Sequence, residues 1–548
     1  MKVLLCTNVY PPNFIGGAEL VVHNHAKALI KLGHDVRVFA GEIGDGLARY
    51  ETASGAYDNV TVHRVKLVAE DFASDYLNIS HPPVERLFSE LLEEFCPDVV
   101  HCHNLVGLSV GLLGIARKFG AKVVLTVHDH WGYCFKNTAM KSEGVACLDF
   151  TKCHECQPYI NQGADRKIPQ RLRRDFLKYA MEQVDDFVSP SAYLAKSYVR
   201  AGVSEDRVHV VWNGIELDRF SNIKRRPSEK VRFSFFGYFG RHKGIHVLLD
   251  ALPLMRNRDK VIVNLVGDGD QRNAYVAHLA ANGCSAMVKF MGKIDHLQVT
   301  SAYEETDVLV LPSIWHENQP VSICEAMACG LPVIASRMGG MPELVEHMVT
   351  GILFESKHAY ELAQAMDFLI AQPALRIQLG AAGKNVISGS QYDVQVSKLE
   401  KIYLTERRTS AKNSPVILCV GAQFSSVCER AIQVFQDEFA DLELNLVMAE
   451  CIPDAYVDEI SFVWVVDPRA HTNELEPFKH SNLPIMLPST MRVETDITGS
   501  LTYADEFEAA ATISYLLIYR SDLMQSIANY SSSVRDDGDQ SQFSTDMP

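Results

Sequence analysis

Two carboxylates eight positions apart, Glu317 and Glu325, stand in the segment PSIWHENQPVSICEAMACGLPVIASRMGGMPELV, Pro312 to Val345. The apolar run Val308–Leu311 before it has the composition of a buried strand. Pro320 is suited to open a helix, Ser322–Cys329 has helical composition, and Gly330 with Pro332 ends it. Glu317 is therefore predicted in the loop at the carboxyl end of a strand, and Glu325 about one turn into the following helix. Ligands of open α/β sheets bind at that edge. The free amides of Val321 and Ser322 would face an anion there, assisted by the helix dipole. An anion flanked by two carboxylates suggests a phosphate ester that also carries hydroxyls, as a sugar nucleotide does.

A second segment, FFGYFGRHKGIHVLLDAL from Phe235 to Leu252, also runs from strand to helix. Its glycines Gly237, Gly240 and Gly244 allow close backbone approach to a ligand, and Arg241 and Lys243 can neutralise a diphosphate. The plainer reading, a solvated loop with two surface cations, loses ground because both segments leave strands at one sheet edge. Gly16-Gly17-Ala18-Glu19 follows the first strand and leads into an amphipathic helix. It is either a phosphate loop or a tight turn, and it lacks the GxGxxG fingerprint of dinucleotide binding. Cys134, Cys147, Cys153 and Cys156 (the last pair in CHEC, with His154 between) have spacing that suits a structural zinc, or they are free thiols. His101 and His103 close a strand with no carboxylate to complete a metal site; they are expected to line the cleft or fill the strand edge. The basic stretch RKIPQRLRRDFLK, 166–178, is a solvated helix face or a peripheral contact with an anionic membrane.

These groups need a frame. Strands are predicted at Val3–Thr7, Asp35–Ala40, Val60–Val65, Val99–Cys102, Lys122–Val127 and Asp186–Val188, alternating with helices. The pattern restarts at Val231–Gly237, Val261–Val266, Val288–Met291, Val308–Leu311 and Val333–Ala335. The class is α/β, with two doubly wound domains, 1–210 and 211–404, and a cleft between them. The polar residues 405–413 form a linker. Residues 414–529 form a small extra α/β domain with no chemical motif, containing a long helix within 504–526, and 530–548 is a polar tail. With 548 residues, a single core is excluded. The net charge of −16 argues against a nucleic-acid partner held by bulk electrostatics. No apolar run of about 18 residues is present, so no membrane span is expected. The 13 cysteines, mostly single and in apolar segments, fit reduced thiols in a cytoplasmic protein, at most peripheral at the inner face of a membrane.

The ordered set of these stretches resembles glycosyltransferase family 4, of the GT-B architecture of two facing Rossmann-like domains. The matching pieces are Gly16-Gly17, TVHD (Thr126–Asp129), SPSAYL (Ser189–Leu194), WNGIELDRF (Trp212–Phe220), GRHKG (Gly240–Gly244), VGDGD (Val266–Asp270) and Tyr303–Val345. They cover residues 1 to about 405. The resemblance implies retaining transfer of a sugar from a nucleotide-sugar donor to a glycan or lipid-linked acceptor, in polysaccharide or glycoconjugate synthesis, with no metal required. It implies that Glu325 holds the ribose and that Glu317 lies by the donor sugar. Lys243, with Arg241 assisting, and the Val321 and Ser322 amides would stabilise the diphosphate. His128 would face the sugar across the cleft, Gly16 and Gly17 would approach the diphosphate, and the base would lie against Lys293-Ile294. It also makes Asp268-Gly269-Asp270 a turn and not a metal site. One departure is Tyr238, which stands where the family often has an arginine; Arg241 is expected to restore that charge from another angle.

Two other classes compete. A glycosyltransferase-like binding or scaffold subunit is disfavoured by the presence of Glu317, Glu325, Lys243 and His128. A Rossmann oxidoreductase is disfavoured by the missing GxGxxG turn.

Overall fold

The computed structural model describes residues 1–408, apart from short stretches that include 14–16 and much of 142–179, and strand segments between 416 and 503. Gly16, Arg166, Arg171, Arg174, the His154 side chain, the helix expected within 504–526 and the tail at 530–548 lie outside the described residues.

The first sheet contains β1 (Lys2–Val9), β2 (Asp35–Glu42), β3 (Thr52–Tyr57), β4 (Val60–Lys66), β5 (Val99–Cys102) and β6 (Lys122–Thr126). A two-stranded pair, β7 (Tyr159–Asn161) and β8 (Lys167–Pro169), stands apart; β9 (Asp186–Ser189) and β10 (Val208–Val210) complete the sheet. Its order is β10-β9-β6-β5-β1-β2-β4-β3, parallel except for β3 on β4. The second sheet holds β11 (Val231–Phe236), β12 (Val261–Val266), β13 (Val288–Gly292), β14 (Val308–Leu311), β15 (Val333–Ser336) and β16 (Gly351–Phe354), in the order β13-β12-β11-β14-β15-β16, all parallel. Five further strands, Val416–Val420, Asn445–Ala449, Phe462–Val465, Ile485–Pro488 and Ser500–Tyr503, form a third parallel sheet.

Each strand expected in the first two segments is present. The cause is burial on both faces: β5, β6, β14 and β15 are buried at every position, so each is built mainly of apolar residues, with His101, Lys122, Thr126 and Ser336 the polar exceptions. The edge strands β3, β10 and β16 were not expected. The order also fixes where chemistry can happen. The order of strand addition reverses at β1, which lies between β5 and β2, and at β11, which lies between β12 and β14. Such switch points open a crevice beyond the strands' carboxyl ends. Gly17 follows β1, Lys243 follows β11 and Glu317 follows β14.

The helix Tyr392–Tyr403 returns to the first sheet, where Val396, Leu399, Ile402 and Tyr403 share a core with Val3, Leu5 and Val124. No described helix is long and apolar enough to cross a membrane.

Candidate active site

The β11 and β14 loops are pressed together. Gly244 has φ +69°, and a Cβ there would lie 1.9 Å from the Pro312 carbonyl oxygen, so only glycine fits. The His242 carbonyl accepts from Ile314 N at 2.9 Å across the same seam. This contact delivers Lys243 to Glu317: Lys243 Nζ donates to Glu317 Oε1 at 2.7 Å, and Ser313 Oγ donates to the same oxygen at 2.7 Å. The Lys243 ammonium also lies 5.5 Å from the centre of the Trp315 ring. Glu317 is buried, at 8% exposure. Burial acts to raise its carboxyl pKa, but the charge and hydrogen bond of Lys243, with the Ser313 bond, outweigh it and hold Glu317 below the usual glutamate range. From behind, Gly340 N donates to the Glu317 carbonyl at 2.6 Å. Gly339, at φ +56°, leaves room for that carbonyl, which a Cβ would approach to 2.3 Å.

Glu325 is equally buried and differently placed. Its Oε2 accepts from Tyr303 OH at 2.7 Å, and burial pushes its pKa up to about 7 against the opposing effects of Tyr303 and Arg219. It lines a cavity built by both halves of the chain, together with Gly17, Asn24, Asn213, Gln319 and Tyr392. Val321, at the start of the helix Val321–Ala328, is also on that wall, and Pro320 before it supplies no side-chain cap. A Cβ on Gly17 would lie 3.5 Å from Val321 Cγ2. The starts of two helices, at Gly17 and at Val321, thus lie side by side, where first-turn amides and both dipoles favour an anion.

His128 lies past the end of β6. Its carbonyl accepts from Asn318 Nδ2 at 2.7 Å, tying it to the Glu317 loop, and burial lowers its imidazole pKa to about 4. Arg241 is exposed at the mouth, and Ile294 lies just beyond β13 at the same sheet edge, packed on the core. Tyr238 is 53% exposed, and its hydroxyl accepts from Asp270 N at 3.4 Å. Asp268 folds back on its own turn, accepting from Gly269 N at 2.9 Å, while Phe239 N donates to its carbonyl at 2.9 Å.

The structure thus sets Gly17, Val321 and Glu325 on one cavity, pairs Lys243 with Glu317, and ties the Glu317 loop to His128 through Asn318. Sequence reasoning did not single out Ser313, Asn318, Gln319, Tyr303 or Glu343. Glu343 accepts from Ala192 N (2.7 Å) and Tyr193 N (2.6 Å), so a side chain of the second half caps the helix Ala192–Arg200 of the first. Asn318, Gln319, Tyr303 and Glu343 carry no local signal, because each bonds a residue far away in sequence, whereas Ser313 reaches Glu317 four positions on.

The other candidates lie elsewhere. Cys134, Cys147, Cys153 and Cys156 form no disulfide among the described residues, and the thiols of Cys147 and Cys153 donate to the carbonyls of Asp149 and Phe150. Among the described residues no three His, Cys, Asp or Glu side chains are arranged to hold a metal ion. Of the basic stretch, Arg173 is buried with its guanidinium over the rings of Trp131 and Phe135 at 5.6 and 5.5 Å, and Lys178 is exposed. A second cavity beside His128 is lined by Asn104, Asp129, Trp131 and Tyr198; burial raises Asp129 to about 6.

Two family models match in succession: Glycosyltransferase Family 4 over residues 15–219 and Glycosyl transferases group 1 over 217–386. An uncharacterized glycosyltransferase of Methanocaldococcus jannaschii is 26% identical over 422 residues, covering 74% of this chain and 98% of that protein. Glycogen synthase of Mycobacterium tuberculosis is 23% identical over 434 residues, 76% of this chain and 97% of the synthase. Among solved structures, Anabaena HepE in complex with UDP superposes with a TM-score of 0.54 at 19% identity, over 73% of this chain and 99% of that one.

Proposed function

Because the chain belongs to glycosyltransferase family 4, we propose that it catalyses metal-independent transfer of a sugar from a nucleotide-sugar donor to a glycan or lipid-linked acceptor, with retention at the anomeric carbon. The observation that carries this reading is the side-by-side placement of two helix starts at Gly17 and Val321, with an ammonium and two buried carboxylates beside it. A diphosphate satisfies the amides, Glu325 accepts from the ribose hydroxyls, and Ile294 lies at the sheet edge for the base. Anabaena HepE, of like fold, is solved with UDP.

The chemistry follows from charge. As the bond from anomeric carbon to phosphate oxygen breaks, its electron pair goes to the diphosphate. Lys243 and the helix amides, with Arg241 assisting, would stabilise that charge, a task a divalent metal performs elsewhere. Positive charge builds on the sugar, and Glu317, held ionised, faces it. The acceptor hydroxyl adds from the face the diphosphate leaves, and its proton passes to the departing phosphate oxygen. The polar and aromatic lining of the cavity at Asn104, Asp129 and Trp131 suits an acceptor rich in hydroxyls. The completeness of the set Glu317, Glu325, Lys243 and His128 favours turnover over a scaffold role.

A thermal-shift screen against UDP- and GDP-sugars, followed by donor hydrolysis with excess EDTA, tests this. Stabilisation by one nucleotide class and hydrolysis that survives EDTA are expected. A protein that neither binds nor hydrolyses any of them is not this enzyme.

Glu325 also predicts a pH dependence. Its ionised form accepts from hydroxyls better than its acid form, and burial sets its pKa at about 7. Affinity for the best nucleotide sugar should therefore fall as pH drops, with Kd about tenfold weaker at pH 6 than at pH 8. A donor diphosphate diester keeps its charge across that range, and His128, near 4, stays neutral. Calorimetric titration at both values checks it; a flat Kd would remove Glu325 from the ribose.

A further inference from the structure

Behind His128 lies a buried stack of three more imidazoles that the transfer reaction does not use: His103, His101 and His25. Ring centres are 5.3 Å apart for His128 and His103, 4.4 Å for His103 and His101, and 5.7 Å for His103 and His25. His101 is fixed at both nitrogens, Nδ1 to Tyr403 OH at 2.6 Å and Nε2 to Thr126 Oγ1 at 2.7 Å. His103 Nδ1 lies 3.0 Å from His128 Nε2, while its own Nε2 is buried with no partner.

One proton occupies the space between His103 Nδ1 and His128 Nε2, and its owner decides what His128 offers to the cleft. If His128 donated, a neutral His103 would carry its proton on Nε2, leaving a buried N–H with no acceptor. Orphaned buried donors are rarer and costlier than orphaned acceptors. The other assignment bonds the His103 proton and leaves only a lone pair unmatched. Neither ring can escape by taking a second proton, because burial and neighbouring imidazoles press the stack towards neutrality.

We propose that His103 is a positioning residue: its Nδ1–H donates to His128 Nε2 and locks His128 in the Nδ1–H tautomer, so that His128 presents a donor to the sugar hydroxyls. The tautomer of an imidazole is set by the bond its other nitrogen makes. Free of a described hydrogen bond, Nδ1 of His128 is the nitrogen left for the ligand. The proposal rests on the reading that His128 faces the donor sugar.

Two measurements on the full-length protein test it. In 15N-histidine-labelled protein, with His128 assigned by its loss in His128→Asn, Nδ1 should resonate as a protonated nitrogen and Nε2 as an unprotonated one. In His103→Asp, which can only accept, the two should exchange roles; in His103→Asn, whose amide can donate, they should not. Donor turnover should follow the same order, with His103→Asn retaining most of it and His103→Asp and His103→Leu losing roughly 10- to 100-fold in kcat/KM, as orienting partners one layer back from a site typically do. A His128 protonated at Nε2 in the unmodified protein, or full turnover in His103→Asp, overturns the proposal. An Nδ1–H tautomer in a protein that turns over no nucleotide sugar would uphold the His103 bond and sink the donor reading instead.

Discussion

Replacing Glu317 by glutamine is expected to lower kcat by roughly 100- to 1,000-fold, the usual loss when a group aimed at charge developing in the transition state is removed, with donor affinity held or improved. Glutamine keeps the shape and can still accept from Ser313, so the loop should keep its position. What disappears is a negative charge that the protein maintains against burial, at 8% exposure, by setting Lys243 at 2.7 Å. In the ground state that charge partly neutralises Lys243, so its removal frees the ammonium for the diphosphate. In the transition state the same charge would offset the positive charge building on the sugar ring. Binding and turnover should therefore move in opposite directions. Single-turnover rates at saturating donor, with calorimetry for Kd, separate the two. A variant with unchanged turnover would place Glu317 away from the reacting face.

The parts of this site that were legible in the sequence are those written locally. Parallel strands buried on both faces appear as runs such as Val308–Leu311, and the residue types at their carboxyl ends announce an anion site. The edge strands β3, β10 and β16 gave no such signal. TASGAY at Thr52–Tyr57 is mostly exposed, with small residues and a glycine, β10 is three residues long, and β16 opens on Gly351. Pairing across the chain is equally silent. Glu343 looks like a solvated acid after Pro342, yet it caps a helix about 150 positions away. Tyr303 looks like a core aromatic, yet its hydroxyl is the partner of Glu325. Tyr238 shows both sides. Its identity marked the departure from the family pattern, but only the coordinates show its hydroxyl taken up by the Asp268–Asp270 turn, which leaves Arg241 at the mouth as the second cation.

Lys243→Met should be the most damaging single change, because it removes the main cation facing the diphosphate and leaves Glu317 with an uncompensated buried charge. Breaking a buried ion pair from one side costs about 3–5 kcal/mol; Lys243 is 22% exposed on its side chain, so a loss of about 1–3 kcal/mol is the better expectation after allowing for solvent screening. Turnover should fall more than in Glu317→Gln, since the leaving group loses its counter-charge and Glu317, without the ammonium, is driven by burial towards its neutral acid. The double variant Lys243→Met/Glu317→Gln isolates the cause. If the two act as an electrostatic unit, the second substitution removes the stranded charge and restores part of the stability lost in the first, a coupling of about 0.5–3 kcal/mol. Denaturant melts of the wild type, both single variants and the double variant close the cycle. Strictly additive losses would mean that the 2.7 Å contact carries no net energy, and that Lys243 serves the diphosphate without holding Glu317 in its charged state.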